Sequence, residues 1–194
     1  MSNYQPKDLR LLIQQTGAQH VVVRMGLPWE QDGLKQWSIA QVKSARQNGC
    51  SVGAYAWAYR SASPVKTVRE GLGLAHLTMG GDPPILWIDC ERYLLPGQPG
   101  FDPGPNAAWL RAAHAECEKQ GVQMGIYTGR WWLDQYLPEY FEFTQLALWL
   151  ADYDGRPDLD RVTLPPGWPR ERLLAHQFTD TPCDQSVFRL EAVS

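Results

Sequence analysis

One stretch constrains this chain more than any other: Pro84-Ile85-Leu86-Trp87-Ile88-Asp89-Cys90-Glu91. Four consecutive apolar residues follow a proline and end in two carboxylates. Such a run predicts a short strand buried on both faces, the kind found in parallel sheets. Side chains alternate along a strand, so Asp89 and Glu91 share one face at a separation of roughly 6–7 Å. A buried strand that finishes in acids delivers them to its carboxyl end, where α/β barrels and open α/β sheets hold their chemistry. Two neighbouring carboxylates raise each other's pKa and can divide acid and base duties. The same spacing also fits a solvated strand end with a cap or a salt bridge, so spacing alone leaves both readings open.

The remainder of the chain supplies a setting for that strand. Pro6, Leu9, Leu12, Ile13 and Gly17 predict a helix over 6–17. Val21-Val22-Val23 marks a buried strand over 20–25. The loop over 26–33 carries Trp29, Glu30 and Asp32, and its glycines read as a plain turn. Ser38 reads as the cap of a second helix that runs through Asn48. Over 51–59, Gly53, Tyr55, Trp57 and Tyr59 fall on one strand face. Ser63-Pro64 opens a helix to about Met79, and Asn106 opens another to Gln120. A proline- and glycine-rich loop over 96–105 lies between the acidic strand and that second capped helix. Strands over 122–128 and 146–153, a short helix over 130–137, and two last strands over 173–179 and 186–190 complete the pattern. Alternating strands and helices imply a parallel α/β sheet. At least seven strands in 194 residues favour an irregular (β/α) barrel, poor in helices over its last third. With no linker and no internal repeat, residues 1–194 read as a single domain.

Composition narrows the function. The net charge is −3 with both signs interspersed, which gives no basic field for nucleic acid. No apolar run approaches a membrane span, and the first residues carry no apolar signal core. Cys50, Cys90, Cys117 and Cys183 form no CxxC pair, and the four histidines are scattered, so neither a metal nor a cofactor is expected. The cysteines read as small buried hydrophobes. Nine Trp and eight Tyr are many for this length; aromatic faces suit sugar rings as well as cores.

Six motifs occur in order: Gly53-Ala54-Tyr55, the Leu86 to Glu91 strand, Gly125-Ile126-Tyr127-Thr128, Leu148-Trp149-Leu150-Ala151-Asp152-Tyr153, His176-Gln177-Phe178-Thr179, and Asp184 before Ser186-Val187-Phe188. With them the chain resembles the glycoside hydrolase family 25 lysozymes, the peptidoglycan muramidases of bacteria, phages and some fungi. The resemblance implies an irregular α/β barrel of about eight strands that acts on the cell wall. It implies hydrolysis of the β-1,4 bond between N-acetylmuramic acid and N-acetylglucosamine, with peptidoglycan glycan strands as the partner. It casts Glu91 as general acid and then base, Asp89 as its partner and Asp184 as a further carboxylate. Tyr55, Trp57, Tyr127, Trp149 and Tyr153 become the groove residues. The sequence departs from the family pattern in three places. The family's first-strand Asp would fall one residue before Met1, Ala56 replaces a usual His, and His176 and Phe178 replace a common Trp and Tyr.

Structural alternatives stand beside these roles. Asp184 could cap a turn, and Tyr127 and Trp149 could be core. Trp131 and Trp132 are adjacent, so one packs and the other is exposed. Asp152 and Asp154 belong to a solvated loop. Asp89 could orient the substrate's own N-acetyl group, a substrate-assisted route that leaves the stereochemistry open. Two function classes follow: an active muramidase, or a glycan-binding module on the same barrel. The oligomeric state is not legible from the sequence.

Overall fold

Apolar strands and amphipathic helices alternate along the chain, and the fold follows that alternation. The structure, a computed structural model, describes residues 5–25 and 33–189. Its helices are α1 (Arg10–Thr16), α2 (Gly33–Gln47), α3 (Pro64–Met79), α4 (Ala107–Lys119) and α5 (Arg130–Tyr136). Its strands are β1 (His20–Arg24), β2 (Ser51–Trp57), β3 (Ile85–Asp89), β4 (Gln123–Gly129), β5 (Ala147–Ala151), β6 (Leu173–Thr179) and β7 (Gln185–Phe188). The strands form one sheet in sequence order. Neighbours from β1 to β6 are parallel, and β7 returns antiparallel to β6. After β5 the described chain makes no α-helix, only a short 3-10 turn at Arg170–Arg172.

The sheet is buried on both faces, which is why its strands read as continuous apolar runs. Outward residues such as Val23, Ala54, Leu86, Ile88 and Ile126 pack under the helices with Val68, Leu72 and Leu110. Inward residues Val22, Ile85, Trp87, Trp149 and Ala175 form a separate cluster with Tyr55, Tyr127 and Phe188. The sheet curls into a barrel-like wall around this inner cluster. His20 on β1 meets Phe188 on β7 edge to face at 5.2 Å, so the first and last strands face one another. About eight strands were expected; seven lie among the described residues. The segment matching the family's first strand falls mostly on residues 1–4, outside them.

Local chemistry accounts for the helix ends. Ser63 and Asn106 accept the backbone N–H of Lys66 and Trp109, as cap residues do. Gly17 and Gly80 end α1 and α3 in the left-handed conformation. Two expectations are corrected. The first helix begins at Arg10 rather than near Pro6, because Leu9 N donates to Ser44 Oγ (2.8 Å) and Asp8 accepts from Arg10 N (3.0 Å). Ser38 lies inside α2 and caps nothing; its hydroxyl donates to the Arg24 carbonyl at 2.7 Å, tying the helix to β1. The loop carrying Trp29, Glu30 and Asp32 lies outside the described residues. No helix among the described residues is long and apolar enough to cross a membrane.

Inside the barrel a large residue requires a small neighbour. Trp87 is paired in register with Gly125, and a Cβ on Gly125 would lie 2.5 Å from the Trp87 ring. Gly125→Ala therefore forces a fully buried indole to shift. We expect a loss of about 1–3 kcal/mol, the usual cost of overpacking. Denaturant unfolding of the variant reads it directly, and an unchanged midpoint would contradict the tight Trp87 contact.

Candidate active site

The end of β3 is held on both sides. Ala58 N donates to the Asp89 carbonyl (3.1 Å), and Cys90 N donates to the Tyr127 carbonyl (2.8 Å). Thr128 Oγ1 donates to the Cys90 carbonyl (2.9 Å). The loop over 96–105 folds back as a brace. Its buried Asp102 accepts from Arg60 N (3.1 Å) and Gly104 N (2.8 Å), and pairs its backbone with Tyr93. Gly104 presses against the Glu91 carbonyl, since a Cβ there would sit 2.5 Å from that oxygen. Glu91 thus leaves the strand on a fixed path.

Asp89, Glu91 and Asp184 line one hollow of about 600 Å³. β3 ends at Asp89, so Glu91 lies two residues beyond the strand, yet both acids line the same hollow. Tyr55, Trp57, Tyr127 and Trp149 form walls of the same hollow. The sheet register explains the convergence: Trp57 pairs with Asp89, Asp89 with Tyr127, and Tyr127 with Trp149. The rings of Tyr127 and Trp149 stand edge to face at 4.8 Å. Trp149 is 9 % exposed and belongs to both the inner core and the wall. Tyr153 is placed differently from its neighbours. It is 56 % exposed at the rim, with its hydroxyl 3.4 Å from Gln177 Nε2.

Desolvation dominates the electrostatics. Asp89 is buried, and its Oδ1 has no hydrogen-bond partner among the described residues. Burial, with Glu91 next, pushes its carboxyl well above the ordinary range, while Arg24 pulls the other way. Glu91 is half-buried and is pushed up to about 7, first by desolvation and then by the Asp184 charge; Arg92 opposes this. Asp184 is exposed at the mouth yet also raised, by partial desolvation and by Asp180, against a hydrogen bond from Gln177. Burial likewise raises the Tyr55 and Tyr127 phenols.

Several contributors were not singled out from the sequence. Arg24 is buried at the end of β1, in register with Tyr55, and its charge reaches Asp89. A cation ending the run Val21-Val22-Val23 was the available signal. His20 lines the hollow 2.7 Å from Ser51 Oγ, and burial lowers it to about 4, so it is neutral. Gln177 and Phe188 also line the hollow. Among the family departures, Ala56 points outward, where its methyl would stand 3.4 Å from a Cβ on Gly71 of α3. His176 is buried with Nε2 2.8 Å from the Asp152 carbonyl, while Phe178 lines the hollow. Among the described residues no cluster of His, Cys, Asp and Glu could hold a metal ion. The four cysteines are free and buried.

Comparison with known proteins bears on this geometry. Residues 12–187 match the model of the family described as glycosyl hydrolases family 25. The chain is 27% identical over 148 residues to "Probable GH family 25 lysozyme 3" of Dictyostelium discoideum, covering 75% of this chain and 30% of that protein. The modular Cpl-1 endolysin, solved with a peptidoglycan analogue, superposes with a TM-score of 0.66 at 16% identity, covering 97% of this chain and 52% of that one. The modular autolysin LytC of Streptococcus pneumoniae superposes with a TM-score of 0.67 at 15% identity, covering 93% and 41%. The chain thus spans about half or less of the length of these relatives.

The raised carboxyls have a stability signature. Glu91 binds a proton in the folded state up to about pH 7, whereas an unfolded glutamate releases it near 4.5. The folded state then holds more protons between those values, so stability falls as pH rises through this window. Glu91→Gln removes that penalty. We expect its unfolding free energy to gain on the parent's progressively from pH 4 to pH 8, read from denaturant melts at each pH. A difference that does not vary with pH would show that Glu91 titrates normally.

Proposed function

The chain belongs to glycosyl hydrolase family 25, and on that premise we propose that it is a peptidoglycan muramidase, acting on the cell wall at the β-1,4 bond between N-acetylmuramic acid and N-acetylglucosamine. The observation that carries this reading is the state of Glu91. It is a carboxyl held near pKa 7 in an aromatic-walled hollow, with a second, more deeply buried acid two residues earlier at the end of β3. An acid protonated near neutrality can donate to the glycosidic oxygen as the bond breaks. The resulting carboxylate then takes a proton from the attacking water, whose oxygen completes the new reducing end.

Asp89 is suited to a supporting duty. Its carboxyl lies deeper than Glu91 and can accept the N–H of the substrate's N-acetyl group, turning that group towards the anomeric carbon. Asp184 at the mouth adds negative charge near the oxocarbenium-like centre. Tyr55, Trp57, Tyr127 and Trp149 give the sugar rings apolar faces to lie against. The Dictyostelium relative's name and the peptidoglycan analogue bound to the Cpl-1 endolysin are consistent with this substrate. A module that only bound glycan would have no use for a glutamic acid tuned to neutrality.

Glu91→Gln should lower turnover by about 10²–10⁴-fold, the usual contribution of a positioned acid, without loss of folding. Reducing ends released from purified peptidoglycan measure it, and unchanged turnover would remove Glu91 from the reaction. The parent enzyme should lose activity as pH rises through about 7, where Glu91 gives up its proton; a rate still climbing above pH 8 would contradict its role as acid.

A further inference from the structure

Beyond the hollow, the lip on the β4 side carries a pair of residues to which the proposed reaction gives no contact with substrate. Trp131 is the second residue of α5 and is 43% exposed, while its neighbour Trp132 is fully buried. Its indole lies against Gly129, where a Cβ would fall 2.5 Å from Nε1. Gly129 shares the inward face of β4 with Tyr127, so the indole rests on the barrel mouth just beyond the aromatic wall. Over it lies the guanidinium of Arg92, 4.7 Å from the ring centroid. Arg92 follows Glu91 directly and is half-buried. Among the described residues its guanidinium makes no ion pair and no hydrogen bond; its charge acts on the neighbouring Glu91 carboxyl through space.

A guanidinium held over an indole by a cation–π contact keeps N–H donors available, and its fork suits a carboxylate taken through two parallel hydrogen bonds. Trp131 is poorly placed as a bare sugar platform, because Arg92 covers one of its faces and Gly129 meets its pyrrole edge. Beyond its sugars, the wall polymer carries short peptides on its muramic residues, and those peptides bear free carboxylates. We propose that Arg92 and Trp131 form a recognition site for a carboxylate of the substrate's peptide stem, at the lip of the glycan hollow. This rests on the reading of the hollow as a peptidoglycan site. Exposed Leu94 and Leu95, in the loop that follows Arg92, offer apolar surface for the small side chains of such a peptide.

Binding in the Glu91→Gln background separates the two readings. Calorimetry would compare three probes: an alternating N-acetylglucosamine and N-acetylmuramic acid tetrasaccharide, the same tetrasaccharide bearing a pentapeptide, and the pentapeptide form with its carboxylates amidated. The peptide-bearing probe should bind about tenfold more tightly than the other two, as one exposed charge-assisted contact allows. Adding Arg92→Gln should erase that advantage and leave the bare tetrasaccharide within about twofold; Arg92→Lys, which keeps the charge and loses the fork, should fall between. Circular dichroism confirms that each variant is folded. Equal Kd values for the peptide probe with and without Arg92 would overturn the inference while leaving the muramidase reading intact. If Trp131→Ala weakens all three probes alike, the pair is a sugar subsite and the inference is wrong. Failure of the bare tetrasaccharide to bind at all would bring down the glycan reading, and this inference with it.

Discussion

A carboxylate is costly to remove from water, and two on one strand face are costlier still. Here β3 ends in Asp89 with Glu91 two residues beyond, and neighbouring elements hold this strand end in place. The Asp89 carbonyl and the Cys90 amide are pinned by Ala58, just past β2, and by Tyr127 of β4, so the backbone from which the acids project is fixed. The Asp102 loop closes behind Glu91 and fixes the direction in which it leaves the sheet. Arg24 and Arg92 set limits on how far the carboxyls rise, one from β1 and one from the next residue along the chain. The carboxyls are raised because this strand end is desolvated and crowded with like charge; opened to water, the acids would return to ordinary behaviour.

The inner side of the barrel divides along its axis. Trp87 and Gly125 pack it tightly one register step below the acids, and the row containing Trp57, Asp89, Tyr127 and Trp149 opens into the hollow. The same aromatic residues join the core below to the hollow above. This explains why Trp149 and Tyr127 resisted assignment to core or groove from sequence: each is both.

Much of this was legible because it is local. The doubly buried β3, the shared hollow of Asp89 and Glu91, the Ser63 and Asn106 caps and the glycine stops each follow from a few neighbouring residues. What was not legible depends on distant partners. The reach of Arg24 to Asp89 exists only through the register of three strands. Asp102 sits in a loop whose composition says only that it turns, and its acceptors' partners lie on a segment more than forty residues earlier. Ser38 carries the hydroxyl of a cap, but that hydroxyl serves a β1 carbonyl instead. Tyr153 extends the wall motif in sequence, yet the strand has already ended and the side chain stands outside at the rim.

The reversal of β7 carries a final implication. A parallel strand must be reached from the far end of the barrel, by a crossover that spans its height. Because β7 instead runs back against β6, residues 180–184 form a hairpin tip at the mouth, and Asp184 arrives there by a local turn. The third acid is therefore mechanically independent of the βα framework that fixes the first two. Such a tip can change length or composition without moving any helix, so the mouth of a barrel of this kind can be reshaped while its acid strand stays constant.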